Sequence, residues 1–144
     1  TLIYYGGNSM FSSNAPFICY AFHSVQGYSK IGKYKGNGNS DGTFVYTGFK
    51  PAYVVTKTID TTANHWSIKD HRRNPHNERT LSLYANLNNA DDTGGGNIAL
   101  DFLSNGFKCR KTDSQINENG TAYIYLAFAK SPFVSSTGVP TAAE

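Results

Sequence analysis

Apolar and aromatic residues in this chain come in runs of four to eight, and turn chemistry cuts off every run. Leu2–Tyr5 meets Gly6-Gly7-Asn8, Thr43–Phe49 meets Lys50-Pro51, and Ile98–Phe102 meets Ser104-Asn105-Gly106. Runs of that length suit strands, whereas helices need 10 to 12 residues of sustained period. Glycine and asparagine tolerate the dihedrals of tight turns, and proline cannot continue a ladder. The spacing therefore predicts an all-β chain of about ten short strands. At 144 residues such a chain is one domain, able to remove about 70% of its unfolded surface from water. A two-layer antiparallel β-sandwich, jelly-roll-like and carrying long polar loops, buries one face of each strand.

The strands are read from alternation. Pro16–His23 places Ile18, Tyr20 and Phe22 on one face and Phe17, Cys19 and Ala21 on the other, a two-sided pattern that predicts a central strand. Tyr28–Tyr34 alternates less cleanly and reads as an edge. Gly36–Gly42 is a loop, and Pro51 is expected to begin or bend a strand between Thr43–Phe49 and Ala52–Ile59. Short strands follow at Trp66–Ile68, Leu81–Tyr84 and Ile98–Phe102. Ser104-Asn105-Gly106 is a hairpin turn of the kind that takes positive dihedrals. Phe107 and Cys109 point inward. After the polar stretch Thr112–Gly120, Tyr123–Ala129 has Ile124, Leu126 and Phe128 on one face. The chain thus divides into an N-terminal arm or short strand (1–15), the sandwich (16–130) and an extended C-terminal tail (131–144). Phe17–Ser24 echoes Tyr123–Lys130 at an offset of 106 residues. That echo is an extra strand of this domain, the last strand of a preceding unit, or chance. Thr1 suits a chain trimmed of its initiator methionine and equally a piece of a longer protein.

Composition excludes several classes. Hydrophobic content of 39% against 16% charge is too apolar for disorder. The net charge of +3 is scattered, and the densest basic stretch, Lys69–Arg79, is interrupted by Asp70 and Glu78. A nucleic-acid partner would call for a continuous basic stripe. No run approaches the roughly 20 apolar residues of a membrane span. Cys19 and Cys109 lie far apart in apolar segments and read as two buried free thiols ahead of a disulfide, and their spacing fits no metal knuckle.

No nucleophile-elbow phrase is present, so no catalytic residue is assigned. His65, His71 and His76 match no standard metal spacing, Asp91-Asp92 with Asp101 lacks an ordered calcium pattern, and neither a metal nor a cofactor is expected. Sugar recognition needs aromatic faces beside amides and carboxylates. Asn64, His65, Trp66, Asp70, Asn74, His76 and Tyr84 supply those types, with Asn77 and Asn88 nearby; Trp66 equally suits a core position. Assembly needs apolar docking elements, and Leu2, Ile3, Tyr4 and Tyr5 at one end and Phe133 and Val134 at the other supply them.

Three phrases stand in order: Gly36-Asn37-Gly38 leading into Asp41–Ala52, then Asp101–Lys108, then Thr121–Ala129 followed by Pro132-Phe133. Together they resemble a β-rich domain of bacteriophage virion proteins, of the kind found in long tail or fibre proteins of marine phages. The resemblance runs from about Ile31 to Pro140. It implies a non-enzymatic virion component on the particle exterior, in a tail fibre or as a capsid decoration. Such a component would form homo-oligomers, touch other virion proteins and show its loops to host-surface glycan. The alternative from the residues themselves is a soluble lectin-like carbohydrate-binding module.

Overall fold

The computed structural model describes residues 18–61, 64–91 and 96–132. Among these residues eight strands are present: β1 (Ser29–Lys35), β2 (Phe44–Tyr46), β3 (Pro51–Thr58), β4 (Ser67–Asp70), β5 (Leu83–Tyr84), β6 (Leu100–Leu103), β7 (Gly106–Cys109) and β8 (Ala122–Ala129). They form two antiparallel sheets, a five-stranded one in the order β1-β8-β3-β4-β5 and a three-stranded one in the order β2-β7-β6. The β1–β2 and β7–β8 segments run side by side across both layers, since β1 pairs with β8 and β2 with β7. This antiparallel ribbon folded over a core is the jelly-roll element of the sandwich.

Alternation decides which side chains meet between the sheets. Tyr34 of β1, Tyr123, Tyr125 and Ala127 of β8, Val54, Thr56 and Thr58 of β3, and Tyr84 of β5 face inward from the large sheet. Val45, Leu100, Phe102, Phe107 and Cys109 face them from the small sheet. Tyr34 stacks on Tyr123 at 5.0 Å and stands edge-on to Phe107 at 5.9 Å. Offset and edge-on aromatic pairs add about 1 kcal/mol beyond their buried area. The tyrosine hydroxyls are not wasted in the interior: Tyr34 donates to Ile116 O (2.8 Å) and Tyr123 to Ser114 O (2.7 Å).

Lys69 is the unusual inward residue. It is 1% exposed, and its ammonium donates to Thr80 O (2.8 Å), Ser82 Oγ (2.6 Å) and Ile98 O (2.6 Å). Three acceptors match the three N–H bonds of an ammonium, which makes a buried charge tolerable. The arrangement ties β4 to the segment that enters β5 and to the approach to β6.

The edge expected over Tyr28–Tyr34 is β1, and Pro51 begins β3 as expected. The central strand expected over Pro16–His23 is not formed by its described part. Residues 18–24 carry no strand, and Ile18, Tyr20 and Phe22 are 79%, 78% and 56% exposed. Apolarity gave the segment strand character but no ladder partner. One bridge joins Val25 to Ser29, and the Ser24 hydroxyl receives the Ile31 N–H (3.0 Å), substituting for a strand along that edge. Cys19 is consequently exposed, and only Cys109 is a buried free thiol, pushed up to about 12 by burial. The strand expected over Thr43–Phe49 shortens to β2, and Trp66 lies just before β4. The arm 1–15 and tail residues 133–144 lie outside the described residues.

Candidate functional site

The seven residues expected to line a sugar surface fall into two groups at opposite ends of β4. At the entry to β4, the His65 ring stands edge-on to Tyr84 at 5.4 Å, and its Nδ1 is 3.2 Å from Asn86 Nδ2. Asn86 also accepts the Trp66 N–H through Oδ1 (3.0 Å), which fixes the Trp66 backbone beside the histidine. Asn64 is turned away, donating to Ser114 O (2.8 Å). Trp66 and His65 are half-buried, whereas Tyr84 belongs to the core at 8% exposure and offers no open face.

At the far end, Asp70 accepts the N–H groups of Arg72 (2.8 Å) and Arg73 (2.9 Å) and pairs with the Arg73 guanidinium. Burial pushes its carboxyl upward, but these donors outweigh it and hold the group below its ordinary value. Arg73 also reaches Asp91 (2.7 Å). The loop from His71 to Thr80 is therefore a braced structure. Asn74 accepts the buried Arg79 guanidinium through its backbone oxygen, while His76 is exposed and Asn77 bonds to both the N–H and the oxygen of Phe102. Asp70 thus serves as a brace, and the two groups make no single surface.

The three histidines are also separate, since His71 Nδ1 faces Ala52 O (3.2 Å) and His65 faces Tyr84. Among the described residues no group of three or more His, Cys, Asp and Glu is arranged to hold a metal ion. Asp91 engages Arg73 and Asp101 engages Arg110 at 3.4 Å, so these two carboxylates are committed to different partners. No helix among the described residues is long and apolar enough to cross a membrane.

Two surfaces stand out that alternation alone did not single out as sites. The outer face of the large sheet carries Ile31, Leu126, Val55, Ile68 and Leu83 in register, one from each of its five strands. At about 4.8 Å between strands, this apolar row spans roughly 19 Å. Phe128 and Tyr53 lie beside it with rings 6.1 Å apart, and Phe22 packs edge-on against Phe128 at 5.9 Å. The expected grouping of Ile124, Leu126 and Phe128 is present, and it is this outer face. The second surface is a cavity of about 370 Å³ beside the exposed Tyr46, lined also by Ser24, Gln26, Lys30 and Thr47.

The long loops that looked free in the sequence are tied down. Asn37 Oδ1 accepts the Asn39 N–H (3.0 Å) and Asn39 Oδ1 accepts that of Asp41 (2.9 Å), the self-bonding expected of this loop. Buried Asn117 then clamps the loop to 111–118.

A family profile described as domain of unknown function (DUF7483) matches residues 1–132, and the chain belongs to that family. No curated protein matches the chain, and no solved structure does.

Proposed function

We propose that this DUF7483 member is a non-enzymatic component of a virion exterior, a sandwich module of a tail fibre or capsid decoration that assembles with copies of itself and with other virion proteins. The observation that carries the assembly reading is the apolar row on the outer face of the large sheet, with exposed Phe22 at its margin and exposed Ile18 and Tyr20 in the same segment of chain. Contiguous apolar surface of this kind marks interaction sites. The occupant is a second copy of the chain. Phe22 already lies on Phe128 at the margin of the face, so the same aromatic segment of a neighbour has complementary chemistry for the remainder. Leu2, Ile3, Tyr4 and Tyr5, with Phe133 and Val134, extend the docking elements at the two ends. The virion setting rests on the resemblance carried by Asp41–Ala52, Asp101–Lys108 and Thr121–Ala129. Repeated copies in a symmetric particle make weak contacts sufficient.

Removing Thr1–Tyr5, or separately Ser131–Glu144, is expected to abolish incorporation into the oligomer while leaving the circular dichroism of the sandwich unchanged. Full assembly after both truncations would remove the terminal docking elements from this account.

A lectin-like reading is favoured by one observation, the half-buried Trp66 and His65 held beside Asn86. Under it Trp66→Ala loses retention on host glycan and keeps assembly.

A further inference from the structure

The loop between β4 and β5 closes a cavity of about 470 Å³ against the segments that enter β3 and leave β8. Its walls are Lys50, His71, Arg72, Pro75, Arg79 and Lys130, four permanent cations and a histidine with no carboxylate. The two lysines and the histidine are held by backbone bonding. The Lys130 N–H donates to Lys50 O (2.9 Å), which puts the two lysines side by side. The His71 N–H donates to Ala52 O (2.9 Å), and its Nδ1 meets the same oxygen at 3.2 Å. A carbonyl only accepts, so Nδ1 carries the proton.

Arg79 anchors the floor. It is 4% exposed, lies over the Phe102 ring at 4.5 Å, and donates to the backbone oxygens of Asn74 and Pro75. Its Nε is buried without a hydrogen-bond partner. Burial disfavours its charge, and Asp70 and Asp101 only partly compensate from a distance.

The gathering of four unmatched cations round one concavity makes this cavity distinctive, whereas several cations elsewhere are matched. Lys108 pairs with Asp41 (2.5 Å), Lys111 with Glu78 (3.3 Å), Arg110 with Asp101 (3.4 Å), and Arg73 takes both Asp70 and Asp91. Among the described residues no carboxylate oxygen lies within 4.0 Å of Lys50, Arg72, Arg79 or Lys130. Lys30, Lys33, Lys35 and Lys57 also lack such a partner, but Lys30 is the one cation lining the cavity beside Tyr46, and the other three lie on the open outer face of β1 and β3 rather than around a concavity. Four like charges around one concavity focus a positive potential and repel one another until an anion enters. Guanidinium and ammonium groups in such a setting suit the oxygens of sulfate and phosphate.

We propose that this cavity is a binding site for a sulfate- or phosphate-type oxyanion. Resting on the reading that the loops face a host surface, its source is an acidic polysaccharide carrying that group, with the free inorganic ion as the competing source. This differs from the neutral, aromatic-walled surface at Trp66.

The test is calorimetric titration of the full chain with dextran sulfate, uncharged dextran, sodium sulfate and sodium phosphate at fixed ionic strength. Dextran sulfate is expected to bind and uncharged dextran not to. Replacing Arg72→Ala and Lys130→Ala together is expected to weaken binding at least tenfold, whereas Lys33→Ala with Lys35→Ala, removing the same charge, changes it less than twofold. Both pairs are exposed side chains, so folding is preserved. Binding of the free ions equal to that of the polymer would keep the oxyanion site and overturn the polysaccharide source. Equal losses in the two variant pairs, or no binding of any probe, would overturn the site. The mass of the particle is a separate measurement, so failure here leaves the assembly reading intact.

Discussion

Asn117 is buried, and its two Nδ2 hydrogens are shared among Asn37 Oδ1 (3.1 Å), Asn39 O (2.8 Å) and Lys111 O (3.0 Å), while its Oδ1 accepts the Asn37 N–H (3.0 Å). It thereby joins the two crossings that carry the chain between sheets. Asn117→Leu strands several of these groups in the interior and is expected to cost about 3 kcal/mol in denaturant unfolding. A loss under about 0.5 kcal/mol would show that water replaces the amide. Asp70 gives a pH signature at the same scale. Its folded carboxyl ionises below its unfolded value of about 3.9, so its stabilisation is present above that value and lost as pH falls through the folded one. Asp70→Asn is expected to cost about 1 kcal/mol at pH 7, since the pair is partly solvated, and less at pH 2. An equal loss at both pH values would assign the effect to shape rather than charge. Neither role was legible beforehand. In the sequence Asn117 is one polar residue within Thr112–Gly120, and Asp70 resembles a free loop carboxylate, because only the fold brings their partners near.

At the scale of elements, the hairpin β6–β7 separates what alternation can and cannot say. The turn falls at Ser104-Asn105 as expected, with Leu103 opposite Gly106. The expected positive dihedrals are absent, for neither Ser104, Asn105 nor Gly106 has positive φ. Gly106 is required for space instead: a Cβ there would sit 2.2 Å from Val45 O on the paired strand. Gly106→Ala is expected to cost about 2 kcal/mol by forcing β2 and β7 apart, read as a lower thermal midpoint. An unchanged midpoint would mean that β2 gives way freely. Residues 18–24 show the converse limit. Their alternation matches that of β8, yet strand formation depends on an available ladder partner, which local sequence does not report. Edges and starts were more legible. Pro51 opens β3 because it lacks a donor, and poorly alternating Tyr28–Tyr34 lies at the rim of its sheet.

For the molecule as a whole, the two-layer sandwich was legible because short alternating runs have few other ways to bury one face. The two surfaces proposed for binding were less so. The apolar row Ile31, Leu126, Val55, Ile68 and Leu83 comes from five separate strands, and the cationic cavity joins Lys50 and Lys130 across eighty residues of chain. Such convergence depends on strand order, which periodicity does not encode. The two surfaces have different jobs in this account, one apolar and self-complementary, the other charged and aimed at a ligand. The central claim is that the apolar one drives assembly. The most direct measurement is the mass and symmetry of the full chain, by light scattering and electron microscopy, beside a variant carrying Ile18→Ser, Tyr20→Ser and Phe22→Ser. The account predicts a defined oligomer, fibre or lattice for the parent and a folded monomer for the variant. A parent that remains a monomer at every concentration would contradict it.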